Sequence, residues 1–146
     1  MLVLPRLYLG TIFAVSAFTK ITSPNFAATL VGFLNAMAMN SGFPWYRSFL
    51  ASIVIPHAGV FATLVTAGET YVAVAMLLGV TTRVAAGVAI LLLANYLCAK
   101  GMLPWMPASN DAADIVLSIV VMAGAAGRTY GVDRWLHERF PNVAAF

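Results

Sequence analysis

The stretch "TAGETYVAVAMLLGVTTR" (residues 66–83) places Glu69 inside an apolar run. A carboxyl group in such surroundings is costly unless it is paired, protonated or wetted. Five other polar residues invite the same question: Lys20, Asn95, Tyr96, Asp111 and Asp114. Their spacing groups them by helical face. Asp111, Asp114 and Ser118 follow i, i+3, i+7 and would share a face, as would Thr66, Glu69 and Thr70. Ser16 and Lys20 are one turn apart. Such a set could hydrogen-bond a polar headgroup or relay protons. It could equally be ion pairs that fix how helices pack.

Other chemistry lacks its residues. His57 and His137 would lie about a membrane thickness apart, so they cannot both hold one haem. Two distant histidines and the single Cys98 make no metal cluster and no internal disulfide. There is no phosphate-cradling glycine loop and no serine–histidine–acid set. The expectation is no haem, no metal and no nucleotide. The net charge of +3 comes from scattered residues, so nucleic acid is not an expected partner.

The elements that must position these residues follow from composition. Of 146 residues, 62% are hydrophobic and 9% charged, against about 25% charged in a soluble domain. So much apolar surface calls for lipid as solvent. A helix needs roughly 20 apolar residues to cross a bilayer. Four stretches qualify: about Val3–Ile21, Val54–Val80, Arg83–Ala99 and Ala112–Gly127. Pro56 could kink the second. The first resembles a signal peptide in its Arg6 and short apolar run, but three further spans follow it, so a retained helix is expected. The fold class is therefore all-α: an integral-membrane four-helix bundle, one domain over residues 1–146.

Charge orients it. Arg6, Arg83, Arg128, Arg134 and Arg139 gather on one side, Lys20, Arg47 and Lys100 on the other. By the positive-inside rule both termini are cytoplasmic, in a cell inner membrane. Trp45, Tyr46 and Trp105 would form the outer aromatic belt, Tyr130 and Trp135 the inner. Between spans one and two, Ser23-Pro24 reads as a helix start and Asn40-Ser41-Gly42 as a stop. Phe26, Leu30, Phe33 and Met37 recur at helical spacing between them. This predicts a short helix at the outer surface, or an apolar cover packed on the bundle.

Depth, at 1.5 Å per residue, puts Glu69 roughly 15 Å from the inner boundary and the other five at about 20–24 Å. Six polar residues from four helices thus fall in the outer half. Lys20 is the only cation among them and should answer Glu69, Asp111 or Asp114. The functional expectation is a polar pocket roofed by the Phe26–Met37 helix. The plain alternative is a set of ion pairs and hydrogen bonds that fixes the packing.

Three segments resemble the DoxX family of small membrane proteins. "RLYLGTIFAVSAFTKI" (6–21) is similar to its first helix, with arginine at the start and lysine at the end. "GETYVAVAMLLGVTTR" (68–83) is similar to its glutamate, apolar stretch, glycine and arginine. "GAAGRTYGVDRWL" (124–136) is similar to its closing glycine, arginine and aspartate pattern. The resemblance runs through nearly the whole chain. By position, Lys20, Glu69, Arg83, Arg128 and Asp133 match the family pattern. The resemblance implies a four-helix bundle in an oxidoreductase setting, since one relative is the membrane subunit of a thiosulfate:quinone oxidoreductase.

The expectation is then a membrane subunit of a redox complex that handles quinone in the outer-half pocket. Lys20 and Asp114 would bind or protonate the quinone oxygens, Glu69 would relay protons, and Asn95, Tyr96 and Asp111 would line the site. Electrons would come from another subunit. The alternative is a non-catalytic subunit that anchors a larger assembly; a transporter ranks below both, because one polar cluster without an internal repeat gives alternating access little to work with. Asp133 is expected to pair with Arg83 or Arg128 and tie the tail to the loop between spans two and three.

Overall fold

The computed structural model describes residues 2–40, 43–102, 110–124, 126–128 and 131–140. Among these the chain is helical throughout, with no strand. The helices are α1 (Val3–Thr22), α2 (Phe26–Asn40), α3 (Pro44–Phe49), α4 (Ala58–Leu78), α5 (Thr82–Lys100), α6 (Asn110–Ala123) and α7 (Val132–Arg139). A π-helical turn, Leu50–Val54, continues α3, and a 3-10 turn, Ala126–Arg128, follows α6.

Four of these pack side by side. α1 lies along α4, α4 meets α5, α5 lies along α6, and α6 returns to α1. The core between them is built from Leu9, Phe13, Val72, Met76, Leu93 and Val121 with many alanines, among them Ala73, Ala75, Ala85, Ala86 and Ala89. Small residues let helix backbones approach closely, which is how helices gain packing energy where lipid removes the hydrophobic drive. The outside of the bundle is apolar as well. Leu4, Val15 and Phe18 on α1, Leu64 and Leu78 on α4, Leu91 on α5 and Val116 on α6 are exposed. In water this surface would be an aggregation hazard; against lipid it is the expected solvent face.

α4 and α5 are each long and apolar enough to cross a membrane. α1 has 20 residues but carries Arg6 and Lys20 near its ends, and α6 has 14 described residues. Both stand where spans were expected. The second span starts later than expected: the chain turns at Ile55–His57, and α4 begins at Ala58 rather than at Val54. Pro56 sits in that turn, where its missing N–H cannot extend a helix.

Two helices end on left-handed glycines. Gly79 (φ +69°) closes α4, with the Val80 N–H returning to the Ala75 carbonyl at 3.0 Å. Gly101 (φ +64°) closes α5, with the Met102 N–H returning to Leu97 at 3.2 Å. Both bonds satisfy carbonyls left open at a helix end.

The helix expected from the Ser23-Pro24 signal is present as α2, beginning at Phe26. It packs on α4 and α5 and does not float free of them. Its Leu34 joins Tyr46, Leu50, Val54 and Ala99 in a second small core. This supports the cover reading of that segment. α3 and its π-helical extension were not anticipated. Tyr46, expected in an aromatic belt, is buried there, whereas Trp45 and Trp135 are exposed. Trp105, Tyr130, Ser41 and Gly42 lie outside the described residues.

Candidate functional site

Ser16 and Lys20 stand one turn apart on α1, facing α4. Across from them Glu69 is buried. The Lys20 ammonium donates to both Glu69 oxygens, at 2.8 Å to Oε1 and 2.6 Å to Oε2, and to the Ser16 hydroxyl at 2.7 Å. Ser16 donates onward to Glu69 Oε1 at 2.9 Å. From α5, the Tyr96 hydroxyl donates to the same oxygen at 2.7 Å. One carboxylate of α4 is thus held by donors from two other helices, α1 and α5. Ionised groups in a low-dielectric interior are tolerated only when paired and hydrogen-bonded in this way.

The pair is asymmetric. The Lys20 side chain is 20% exposed and the Glu69 side chain 1%. The ammonium also lies 5.9 Å from the centre of the Phe26 ring at the start of α2, within cation–π range. A hydrogen-bonded path therefore runs from a fully buried carboxylate to a partly open cation beside α2.

The six expected site residues do not form one cluster. Lys20, Glu69 and Tyr96 come together. Asn95 turns to α3, where its side-chain carbonyl accepts from the Tyr46 hydroxyl at 2.6 Å. Asp111 pairs with Lys100, at 2.6 Å, rather than with Lys20. Asp114 is buried one turn along α6, with its main-chain carbonyl accepting from Ser118 at 2.7 Å; among the described residues no hydrogen bond links its carboxyl to Lys20 or Glu69. The shared face of Asp111, Asp114 and Ser118 is as expected: all three are buried.

The expected pocket takes another form. An open groove of 840 Å³ runs along α4, lined by Ser23, Pro24, Phe26, Thr66, Thr70 and Tyr71 among others. A smaller one of 240 Å³ lies between α1 and α4, lined by Ala17, Phe18 and Val74 among others. Glu69 lines neither groove; its neighbours Thr66 and Thr70 line the first. Their hydroxyls bond back to Ala62 and Thr66 carbonyls on their own helix. Among the described residues no three His, Cys, Asp or Glu side chains are grouped to hold a metal ion.

A second polar site lies at the opposite end of the bundle, where α4 stops. Asp133 of α7 is buried, and its carboxylate accepts from the main-chain N–H groups of Thr81, at 2.6 Å, and Thr82, at 2.9 Å. These are open donors at the start of α5, where a negative charge is favoured. The Asp133 N–H in turn donates to the Gly79 carbonyl at 2.8 Å. The tail is tied to the α4–α5 loop as expected, but through backbone amides. Arg6, buried on α1, reaches the Ala126 carbonyl at 3.5 Å and faces Asp133 electrostatically.

A model of the DoxX family matches residues 1–99 of the chain. The match takes in Lys20, Glu69, Asn95 and Tyr96, and leaves Asp111, Asp114 and Asp133 outside it. No curated protein and no solved structure matches the chain.

Proposed function

The chain belongs to the DoxX family, and from that premise we propose that this membrane protein is the integral-membrane subunit of a redox complex, with Lys20 and Glu69 as its quinone-facing, proton-handling pair. One observation carries the reading. Glu69 is completely buried, yet its hydrogen bonds lead to a lysine that is partly open beside the Phe26 wall of the α4 groove. An ionisable residue inside a membrane is costly, and helix packing could be had from an amide instead.

In this reading a quinone tail lies in the groove along α4 and its ring approaches Lys20 past Phe26. The ammonium donates to a quinone oxygen by exchanging its bond to Ser16. When a partner subunit delivers electrons, Lys20 would give a proton to the reduced oxygen, Glu69 would take up a proton from water and return it to Lys20, and Tyr96 would keep the carboxylate in place. Asp114 and Asp111 stand apart from this path. The chain's own side chains carry no electrons, so a partner subunit supplies them. We place α1 and α6 across the membrane beside α4 and α5, with Arg6 and the tail on the cytoplasmic side of the inner membrane, because the arginines gather there.

A second reading has its own support. The Glu69 carboxylate is saturated by Lys20, Ser16 and Tyr96, and it lines neither groove along α4. A sealed pair of this kind suits a subunit that only anchors a larger assembly.

Glu69→Gln, assayed in the complex with its natural partners, separates the two. The redox reading expects quinone reduction per assembled complex to be abolished while the amount assembled is unchanged. Normal turnover per complex, with loss only in the amount assembled, would leave the anchoring role.

A further inference from the structure

α7 is an unusual appendage. Of its eight residues only Asp133 is buried; Val132 and Trp135 are exposed. Leu136 and His137 are half-buried, so only a small part of its surface packs on the bundle. It is held by the Asp133 carboxylate on two α5 amides, by the Asp133 N–H on Gly79, and by the close approach of glycines. A Cβ on Gly127 would collide with the Asp133 carboxylate and the Thr82 hydroxyl. One on Gly131 would collide with the Gly127 carbonyl and stand 2.9 Å from the Gly79 carbonyl. Polar bonds of this kind are short-range and geometry-dependent, so such a dock is lost as a unit once the carboxylate leaves.

The elements that meet there also meet elsewhere. Arg6 belongs to α1, Gly79 ends α4, and Thr82 begins α5. The same three helices supply Ser16 and Lys20, Glu69, and Tyr96 at the other end of the bundle. Each helix is thus pinned twice, once by each polar site. A helix is stiff over this length, so freeing one pinned end leaves the shared apolar core and the other site to carry the alignment.

We propose that α7 is a detachable strap, latched by Asp133 across the ends of α1, α4 and α5, and that the closed latch keeps the Lys20–Glu69–Tyr96 cluster shut at the far end. The strap stands whether or not quinone is the ligand of that cluster. With α7 docked, the three helices are held in register and the carboxylate stays sealed. With α7 released, the ends of α1 and α4 near Lys20 can part, and the α4 groove gains access to the ammonium.

Spin-label distances in a Cys98→Ser background test this without any turnover assay. One pair, at positions 4 and 135, reports α7 against α1; a second, at 22 and 60, reports the far ends of α1 and α4. All four positions are exposed. The unaltered latch should give a narrow distribution for both pairs. Asp133→Ala should broaden and lengthen both. Asp133→Asn, which keeps one good acceptor, should give an intermediate result and serves if the alanine variant does not fold. An unchanged 4–135 distance in both variants would overturn the strap. A broadened 4–135 distance with an unchanged 22–60 distance would overturn the coupling to the Glu69 cluster.

Discussion

At the scale of single residues, Glu69 is explained by its donors. Lys20, Ser16 and Tyr96 replace the water that a carboxylate loses on burial. The arrangement makes the two ionic partners depend on each other. Lys20→Met removes the counter-charge and two of the bonds, and should cost about 3 kcal/mol of unfolding free energy. Lys20→Met combined with Glu69→Gln should recover about half of that, because the amide oxygen still accepts from Ser16 and Tyr96. Denaturant unfolding in detergent would measure both. Strictly additive losses would mean that the pair is not coupled. That Lys20 would answer Glu69, Asp111 or Asp114 was legible in the sequence, since Lys20 was the one cation expected at that depth; which of the three it takes was not. Two roles were not. Lys100 counted as an interfacial charge, yet it takes Asp111; Tyr46 counted as belt, yet it bonds Asn95. Tyr46 and Asn95 are 49 residues apart and meet only once α3 lies against α5, whereas Lys100 and Asp111, 11 apart, meet where α5 ends and α6 begins.

At the scale of elements, glycines of the same type play opposite parts. Gly79 has φ +69°, and a Cβ there would run into the Arg6 guanidinium and the Gly131 backbone. Gly59, on α4, has open space where its Cβ would be. Alanine should therefore act in opposite directions at the two positions. Gly59→Ala should stabilise by about 0.5–1 kcal/mol through helix propensity. Gly79→Ala should destabilise by about 2 kcal/mol or more, from backbone strain and the lost dock of α7. Thermal unfolding of the two variants side by side checks the sign; equal shifts would refute the contact at Gly79. The α2 helix was legible from spacing, because Phe26, Leu30, Phe33 and Met37 recur on one face. The start of the second span was misread. Pro56 marked a kink there, but nothing in the apolar run showed that the helix stops at Ile55–His57 and restarts at Ala58.

At the scale of the whole molecule, the apolar exterior and the buried polar clusters describe one object: a bundle with lipid outside and charge inside. α1, α4, α5 and α6 close a ring of contacts, so all four should share one environment. The proposed four crossings with a cytoplasmic tail make a direct prediction. A tag at residue 146 should be reachable in inverted vesicles and protected in intact cells. A tag reachable from outside intact cells would reverse the orientation and with it the side from which Lys20 is approached.

The amino-acid sequence by itself determined the helical class, the lipid-facing character and three of the buried carboxyl residues, Glu69, Asp111 and Asp114, but not the burial of Arg6 and Asp133. These depend on composition and on a helical repeat, which are local. It also determined that Glu69 must have a partner, because an unpaired charge at that depth is prohibitive. Only the tertiary structure decided which partners are shared. The six polar residues became separate contacts rather than one pocket, because rotating each helix about its axis by a fraction of a turn selects which side chains meet. It alone revealed the Asp133 latch, because the groups that hold that carboxylate are backbone amides of Thr81 and Thr82. Every residue but proline carries that donor, so no side-chain pattern marks where one is left open.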